Sequence, residues 1–171
     1  MYDLASPDVI QSEAFQVLRA NATAYEKSII SRAPIAHPTV YSLFASLQNH
    51  NATPVSLPGK HLLAVGIVPQ NAEIEEDQNK WYAEEHLNLL SKVPGFLRAR
   101  RLKLVSHMEI GGKATGDFQP SKYLSLYDFD RDTFMESQEF KDAMATPWSV
   151  KVVATVKPEL RMYTLHKTFS Q

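Results

Sequence analysis

Along this chain the apolar residues fall into short runs whose period alternates between that of a strand and that of a helix. The run HLLAVGIVP, His61 to Pro69, is compact and rich in β-branched residues, which predicts a buried strand. From Asn71 to Val93 the spacing is helical: Glu73, Glu75, Glu76 and Asp77 suit the N-terminal dipole, Lys92 the C-terminal end, and Pro94-Gly95 stops the helix. Phe96 to Ile110 reads as a second strand, Gly111-Gly112 through Gly116 as a loop, and Tyr123 to Phe129 as a third strand with strict alternation. Ser137 to about Val156 reads as a helix interrupted near Pro147, and Leu160 to Phe169 as a fourth strand. The order β-α-β-β-α-β is that of a ferredoxin-like split βαβ module, an α+β fold with helices on one face of an antiparallel sheet in the order 4-1-3-2.

An approximate copy of the second half of this pattern stands at the start. Placing Tyr2 on Tyr127 also matches Asp3 to Asp128, Ser12 to Ser137, Phe15 to Phe140 and Ala20 to Ala145, and a short gap brings Val40-Tyr41-Ser42-Leu43 onto Met162-Tyr163-Thr164-Leu165. The expected organisation is a partial first module over 1–45, a polar, proline-bearing linker over 46–60 and a complete module over 61–171. In the 4-1-3-2 order the strands expected around Tyr2–Leu4 and Thr39–Ala45 would flank a first strand that the copy lacks. The half module is therefore expected to be completed in trans by another subunit, to be rearranged against the complete module, or to belong to a reading frame that begins upstream.

Composition narrows the classes. The 171 residues are 44% apolar and 22% charged with a formal net charge of -1, so no global field favours nucleic acid or an anionic membrane. The absence of cysteine excludes disulfides, thiolate metal sites and a cysteine nucleophile, and fits a reducing compartment. No segment reaches the ~20 apolar residues of a membrane span, and MYDLASPDVIQSEAF lacks the basic and apolar parts of a leader, so a cytoplasmic location is expected. The six histidines show neither His-x-His nor His-Glu-x-x-His spacing, and the Gly111-Gly112 loop has no phosphate-cradle context, so neither a metal nor a nucleotide cofactor is expected.

The densest chemistry lies in Trp81-Tyr82-Ala83-Glu84-Glu85-His86. At helical spacing Tyr82 and His86 are neighbours on a stripe continuing through Leu89 and Val93, so His86 faces the core. A histidine there is either a tuned general acid-base or a buried ring tied to a backbone carbonyl. Tyr82 either donates to a developing enolate or packs, and Trp81 and Trp148 form pocket wall or core. Glu85 lies close enough to the stripe to orient His86 or stays solvated. On the third strand Tyr123 shares a face with Ser125 and Tyr127, while Asp128 lies on the other with Leu124 and Leu126, placed either to pair with His86 or to cap a loop. His61 and His166 border the pocket or are ordinary strand residues. Alternation separates Arg98 and Arg100 from Arg101 and Lys103; one arginine, such as Arg100, is a candidate to hold a substrate oxyanion.

The stretches NKWYAEEHLNLLSKVPGFLRARRLKL, KYLSLYDF, ESQEFKDAMATPW and LRMYTLHKTF resemble the EthD-domain branch of the dimeric α/β-barrel superfamily, particularly fungal members built as two modules in tandem. The resemblance covers nearly the whole chain, with WYxEEH followed by VPGF as its signature. It implies a sheet-to-sheet barrel, a homodimer, and a pocket between helices and sheet that takes a polyketide-like or aromatic small molecule. It also implies cofactor-independent decarboxylase, dehydratase, cyclase or isomerase chemistry, with His86 at the position of the acid-base histidine. A different class remains beside it: a non-catalytic small-molecule-binding or assembly module of the same fold.

Overall fold

The computed structural model describes residues 4–32, 38–108 and 119–167. The chain divides into two compact units, Met1–Ser42 with Leu104–Pro120 and Leu43–Lys103 with Ser121–Gln171. Expectations for Tyr2, Asp3, His37, the Gly111–Gly116 loop, Ile110 and Phe169 fall outside the described residues.

In the first unit a 3-10 turn, Pro7–Gln11, leads to helices α1 (Glu13–Ala20) and α2 (Ala24–Arg32). Ser12 sits at the N-cap of α1, where its Oγ accepts from the Phe15 N–H at 3.2 Å and donates to the Val9 carbonyl at 2.6 Å. Ser137 repeats both bonds in the second unit, accepting from the Phe140 N–H at 3.2 Å and donating to the Phe134 carbonyl at 2.8 Å. The same short polar side chain, three residues ahead of a phenylalanine, solves the same problem of unpaired N–H groups at a helix start.

The second unit carries β2 (His61–Ile67), α3 (Ala72–Trp81), α4 (Leu87–Leu90), β3 (Phe96–His107), β4 (Tyr123–Phe129), α5 (Gln138–Ala145), α6 (Pro147–Val156) and β5 (Glu159–Thr164). β1 (Thr39–Gln48) and β3 each run from one unit into the other. β2 pairs antiparallel with β4 and β5, and β4 antiparallel with β3. The sheet order β1-β3-β4-β2-β5 contains the ferredoxin-like order of the four strands of the complete module. The fold is α+β and ferredoxin-like, with β1 added outside β3.

Local chemistry sets the boundaries. Asn71 caps α3 through its Oδ1, which accepts from the Ile74 N–H at 2.9 Å, and Gly95, at φ +86, ends the helical segment where a side chain would be strained. The interruption expected near Pro147 is a clean restart: Thr146 is extended, its Oγ1 accepts from the Ser149 N–H at 3.0 Å, and Pro147 takes the first turn of α6, where its missing N–H costs nothing. The stretch expected as linker is shorter at its front, since β1 continues to Gln48, and it holds a Thr53-capped 3-10 turn at Pro54–Ser56.

Register assigns the faces. His61, Leu63, Val65 and Ile67 lie opposite Phe129, Tyr127, Ser125 and Tyr123, and Ala99 and Arg101 continue the same row on β3. Much of this row belongs to the core, together with Trp81, Tyr82, Leu90, Val152 and Val156 of the helical layer. Phe129 stacks on Phe134 at 3.9 Å with planes 4° apart, closing the end of the core nearest α5. Among the described residues no helix is long and apolar enough to cross a membrane.

Candidate functional site

Between α3 and α4 the helix widens into a single π turn, Tyr82–His86, in which the Leu87 N–H reaches the Tyr82 carbonyl five residues back. A π turn holds one residue more than an α turn, so the side chain stacked beneath His86 is Trp81, with ring centroids 3.9 Å apart and planes at 25°. Tyr82 meets His86 edge-on at 5.3 Å and 85°. Trp81 is pinned from its far side: its Nε1 donates to Ser149 Oγ at 3.1 Å, and Ser149 donates to the Ala143 carbonyl at 2.6 Å.

His86 is 5% exposed, and its Nδ1 has no hydrogen-bond partner among the described residues. Burial first, and the nearby Arg101 charge second, push its pKa down from 6.5 to about 3, so the ring is neutral at physiological pH. Beside it lies a cavity of about 60 Å³, with Tyr82, His86 and Tyr127 among its walls and Leu63, Met144 and Leu160 among its apolar lining. That volume holds about two waters at ~30 Å³ each and is well below the ~150 Å³ of an apolar cavity that takes a benzene ring. Tyr127 is fully buried; its hydroxyl lies near those of Tyr82 and Ser125 without meeting either in hydrogen-bonding geometry, and burial raises its pKa well above the ordinary phenol range.

Arg101 stands behind Tyr82, its guanidinium 3.7 Å from the Tyr82 ring centre, 4.9 Å from that of Phe44 and 5.5 Å from that of Tyr123. Its Nη2 donates to Asn79 Oδ1 at 3.1 Å, while its Nε is buried without a partner among the described residues. Burial lowers the Arg101 pKa, and the three neighbouring tyrosines oppose that shift. From the sequence Arg100 is one candidate oxyanion holder, beside the preferred reading of these arginines as solvated charges on an edge strand. Arg100 lies on the reverse face with Arg98, where their guanidiniums reach Asp128 Oδ2 at 3.4 and 3.0 Å.

Asp128, read from the sequence either as a partner of His86 or, more safely, as a loop cap, sits in that ion cluster on the reverse face. Period two sends Asp128 away from the Tyr127 face, and its Oδ1 accepts from the Gly59 N–H at 3.2 Å, fastening the approach to β2. Other candidates also lie off the cavity wall. Glu85 accepts from Thr146 Oγ1 at 2.7 Å, Trp148 donates to Asp77 at 3.2 Å, and Tyr123 donates to Glu75 at 2.5 Å. His61 opens β2 opposite Phe129 and Thr164, and His166 is exposed beyond β5. The site thus gathers Trp81, Tyr82 and His86 from the sequence candidates and adds Tyr127, Arg101 and Ser149. Tyr127 and Arg101 were detectable only as members of the right alternation class; Ser149 gave no sign beyond a small residue in an apolar helix.

No protein-family model and no curated protein matches the chain. Among solved structures, an anthrone oxidase-like protein is 14% identical, matched over 95% of this chain and 64% of its own, with a TM-score of 0.49. The chain therefore spans less than two thirds of that protein. A heme-degrading enzyme from Listeria monocytogenes is 12% identical over 90% of this chain and 93% of its own, with a TM-score of 0.44. An ethyl tert-butyl ether d (EthD) family protein from Bacillus halodurans is 13% identical over 62% of this chain and 97% of its own, with a TM-score of 0.36.

Proposed function

We propose that the chain is a cofactor-independent acid-base enzyme acting on a polyketide-like or aromatic intermediate of secondary metabolism, with His86 as the proton-transfer group. The observation that carries this reading is a neutral imidazole, buried and wedged between Trp81 and Tyr82, that lines an apolar cavity. Burial holds the ring neutral at physiological pH, so it has a lone pair and no acidic proton to deliver, while a pKa pushed down to about 3 makes it a weak base until a ligand stabilises the imidazolium. That favours abstraction of a proton beside a carbonyl, the first step of an isomerase, cyclase or dehydratase, over the protonation that completes a decarboxylation. The imidazolium formed is stabilised only while the new enolate oxygen is close, which ties proton removal to a bound ligand.

A second reading, a non-catalytic small-molecule-binding module, draws support from the orphaned Nδ1 and the small cavity: no partner orients the ring for turnover. Deuterium exchange into the methyl group of acetophenone, followed by proton NMR in D2O, separates the two. The enzyme reading expects acceleration over buffer that His86→Gln reduces by at least 100-fold in a folded protein. Equal exchange with and without protein sinks it. We also propose a homodimer, because the edge strand β5 exposes Leu160, Met162 and Tyr163 by about half their surface; sedimentation at micromolar concentration tests this, and a strict monomer rejects it.

A further inference from the structure

Besides His86, the Tyr127 hydroxyl, the Arg101 Nε and the Gln78 amide are buried without a hydrogen-bond partner among the described residues, and the first two share one face of the sheet. Tyr127 lines the cavity, and its hydroxyl is buried with no aligned acceptor or donor among the described residues, a condition that native proteins rarely leave uncompensated. Arg101 is 3% exposed, and no carboxylate of the described residues lies within ion-pair distance of it. The acids nearest in the layer are otherwise engaged: Glu75 takes Lys122 at 2.7 Å and the Tyr123 hydroxyl, and Asp128 faces the other side. A buried cation stabilised only by ring faces and one amide oxygen is incompletely compensated.

The two groups belong to one place. Arg101 pairs across the sheet with Ser125 and Ala99 with Tyr127, so the guanidinium and the phenol rise from adjacent positions of the same face, beneath the π turn. Tyr82 stands over Arg101 and also walls the cavity, so the positive charge lies behind one of its two phenols, while most of the other lining side chains are apolar. A small cavity with two phenols among its walls and a buried positive charge behind one of them favours a ligand that brings a single anionic group into it.

We propose that Tyr127 donates the hydrogen bond that fixes an anionic oxygen of the ligand at this end of the cavity, with Arg101 supplying the field, so that the ligand enters as an aromatic carboxylate or phenolate. The inference rests on the reading of the His86 cavity as the ligand site. Tyr127 has the right chemistry for it: its high pKa keeps the proton on the phenol, and a donor aimed at a charged oxygen is stronger than one aimed at a neutral carbonyl. The cavity then holds the anionic group, and the ring of the ligand leaves past Leu160, which lines the cavity and is about half exposed at the edge strand.

Calorimetric titration of the intact protein at pH 7.5 with salicylate and with its neutral isostere salicylamide tests the assignment. Salicylate is expected to bind at least 10-fold more tightly than salicylamide. Tyr127→Phe should cut that preference by 5-fold or more, and Arg101→Met should abolish it. Equal affinities in the wild type, absence of salicylate binding at millimolar concentration, or an unchanged preference in Tyr127→Phe overturns the proposal, and none of these depends on the folding of the arginine variant. The preference is independent of proton exchange: a charge-selective site without acetophenone exchange leaves the anion site standing and removes the enzyme reading, and exchange without charge selectivity does the reverse.

Discussion

The indole of Trp81 and the imidazole of His86 stack face to face, 3.9 Å between centroids, although they lie five positions apart in the chain. An α-helix would turn those positions well apart; the π turn brings them into line. The indole is itself fixed by Ser149 of α6, so the position of the candidate base is determined by a helix that contributes no reacting group.

Ser149→Ala should therefore act in two ways. It leaves the buried Trp81 N–H without an acceptor, at a cost of about 1–3 kcal/mol in urea unfolding. It also releases the indole, so acetophenone exchange should fall several-fold, while Ser149→Thr, which keeps the hydroxyl, should restore part of it. Loss of stability with exchange intact would show that Trp81 does not position His86.

The depressed His86 pKa fixes the sign of a pH effect on stability. Below 6.5 the unfolded chain takes up a proton that the folded chain refuses until about 3, so the contribution is fully present above 6.5 and is lost as the pH falls through that window. The slope approaches roughly 1.4 kcal/mol per pH unit for this one group. Urea midpoints from pH 4 to 7 should fall more steeply toward acid in the wild type than in His86→Gln; parallel curves would mean a solvated imidazole.

The sequence made the strand pattern and helix starts readable because both depend on neighbours within a few residues. Ser12 and Ser137, matched to each other in the internal copy, both cap helices, and period two separated Arg98 and Arg100 from Arg101 and Lys103. Which arginine faces the site was not readable, because β4 is buried on both faces: Leu126 and Tyr127 are each 1% exposed, so hydrophobicity did not mark the inner one. The same ambiguity made Asp128 a candidate partner for His86. The π turn was also hidden, since an extra residue in YAEEH leaves the apolar stripe on either side intact while replacing Tyr82 by Trp81 as the stacked neighbour.

Asp128→Asn separates structure from chemistry on the reverse face. Removing the charge takes the Asp128 carboxylate from Arg98 and weakens the bond from Gly59, which should lower stability by about 3 kcal/mol, the low end for a buried pair because the arginine is partly exposed. Exchange per folded molecule should stay within 2-fold of wild type. A large loss of exchange in a stable Asp128→Asn protein would place the carboxylate in the reaction after all.

The same fastening predicts a contrast between two glycines. A Cβ on Gly59 would come within 2.7 Å of the Phe129 carbonyl oxygen and 2.9 Å of its nitrogen, backbone atoms that cannot step aside, so Gly59→Ala should cost about 1–3 kcal/mol. At Gly66 the first atom met is the Ser121 hydroxyl, the end of a side chain that can rotate. Gly66→Ala should therefore cost less, and thermal unfolding of the two variants side by side decides the order.

Deleting Ala83 tests the π turn most directly. Ala83 is exposed, and its removal leaves Trp81 and His86 four positions apart, so an ordinary α turn can carry the inner face across without disturbing the core on either side. The variant should fold with stability close to wild type, since only one wide turn of poorer hydrogen bonds is lost. The imidazole, however, would meet the cavity with a different tilt and rise, and displacements of that size at a reacting group cost about two orders of magnitude in rate. A stable variant with acetophenone exchange reduced by 10-fold or more is the expected result; a stable variant with full exchange would show that the widened turn is incidental to the placement of His86.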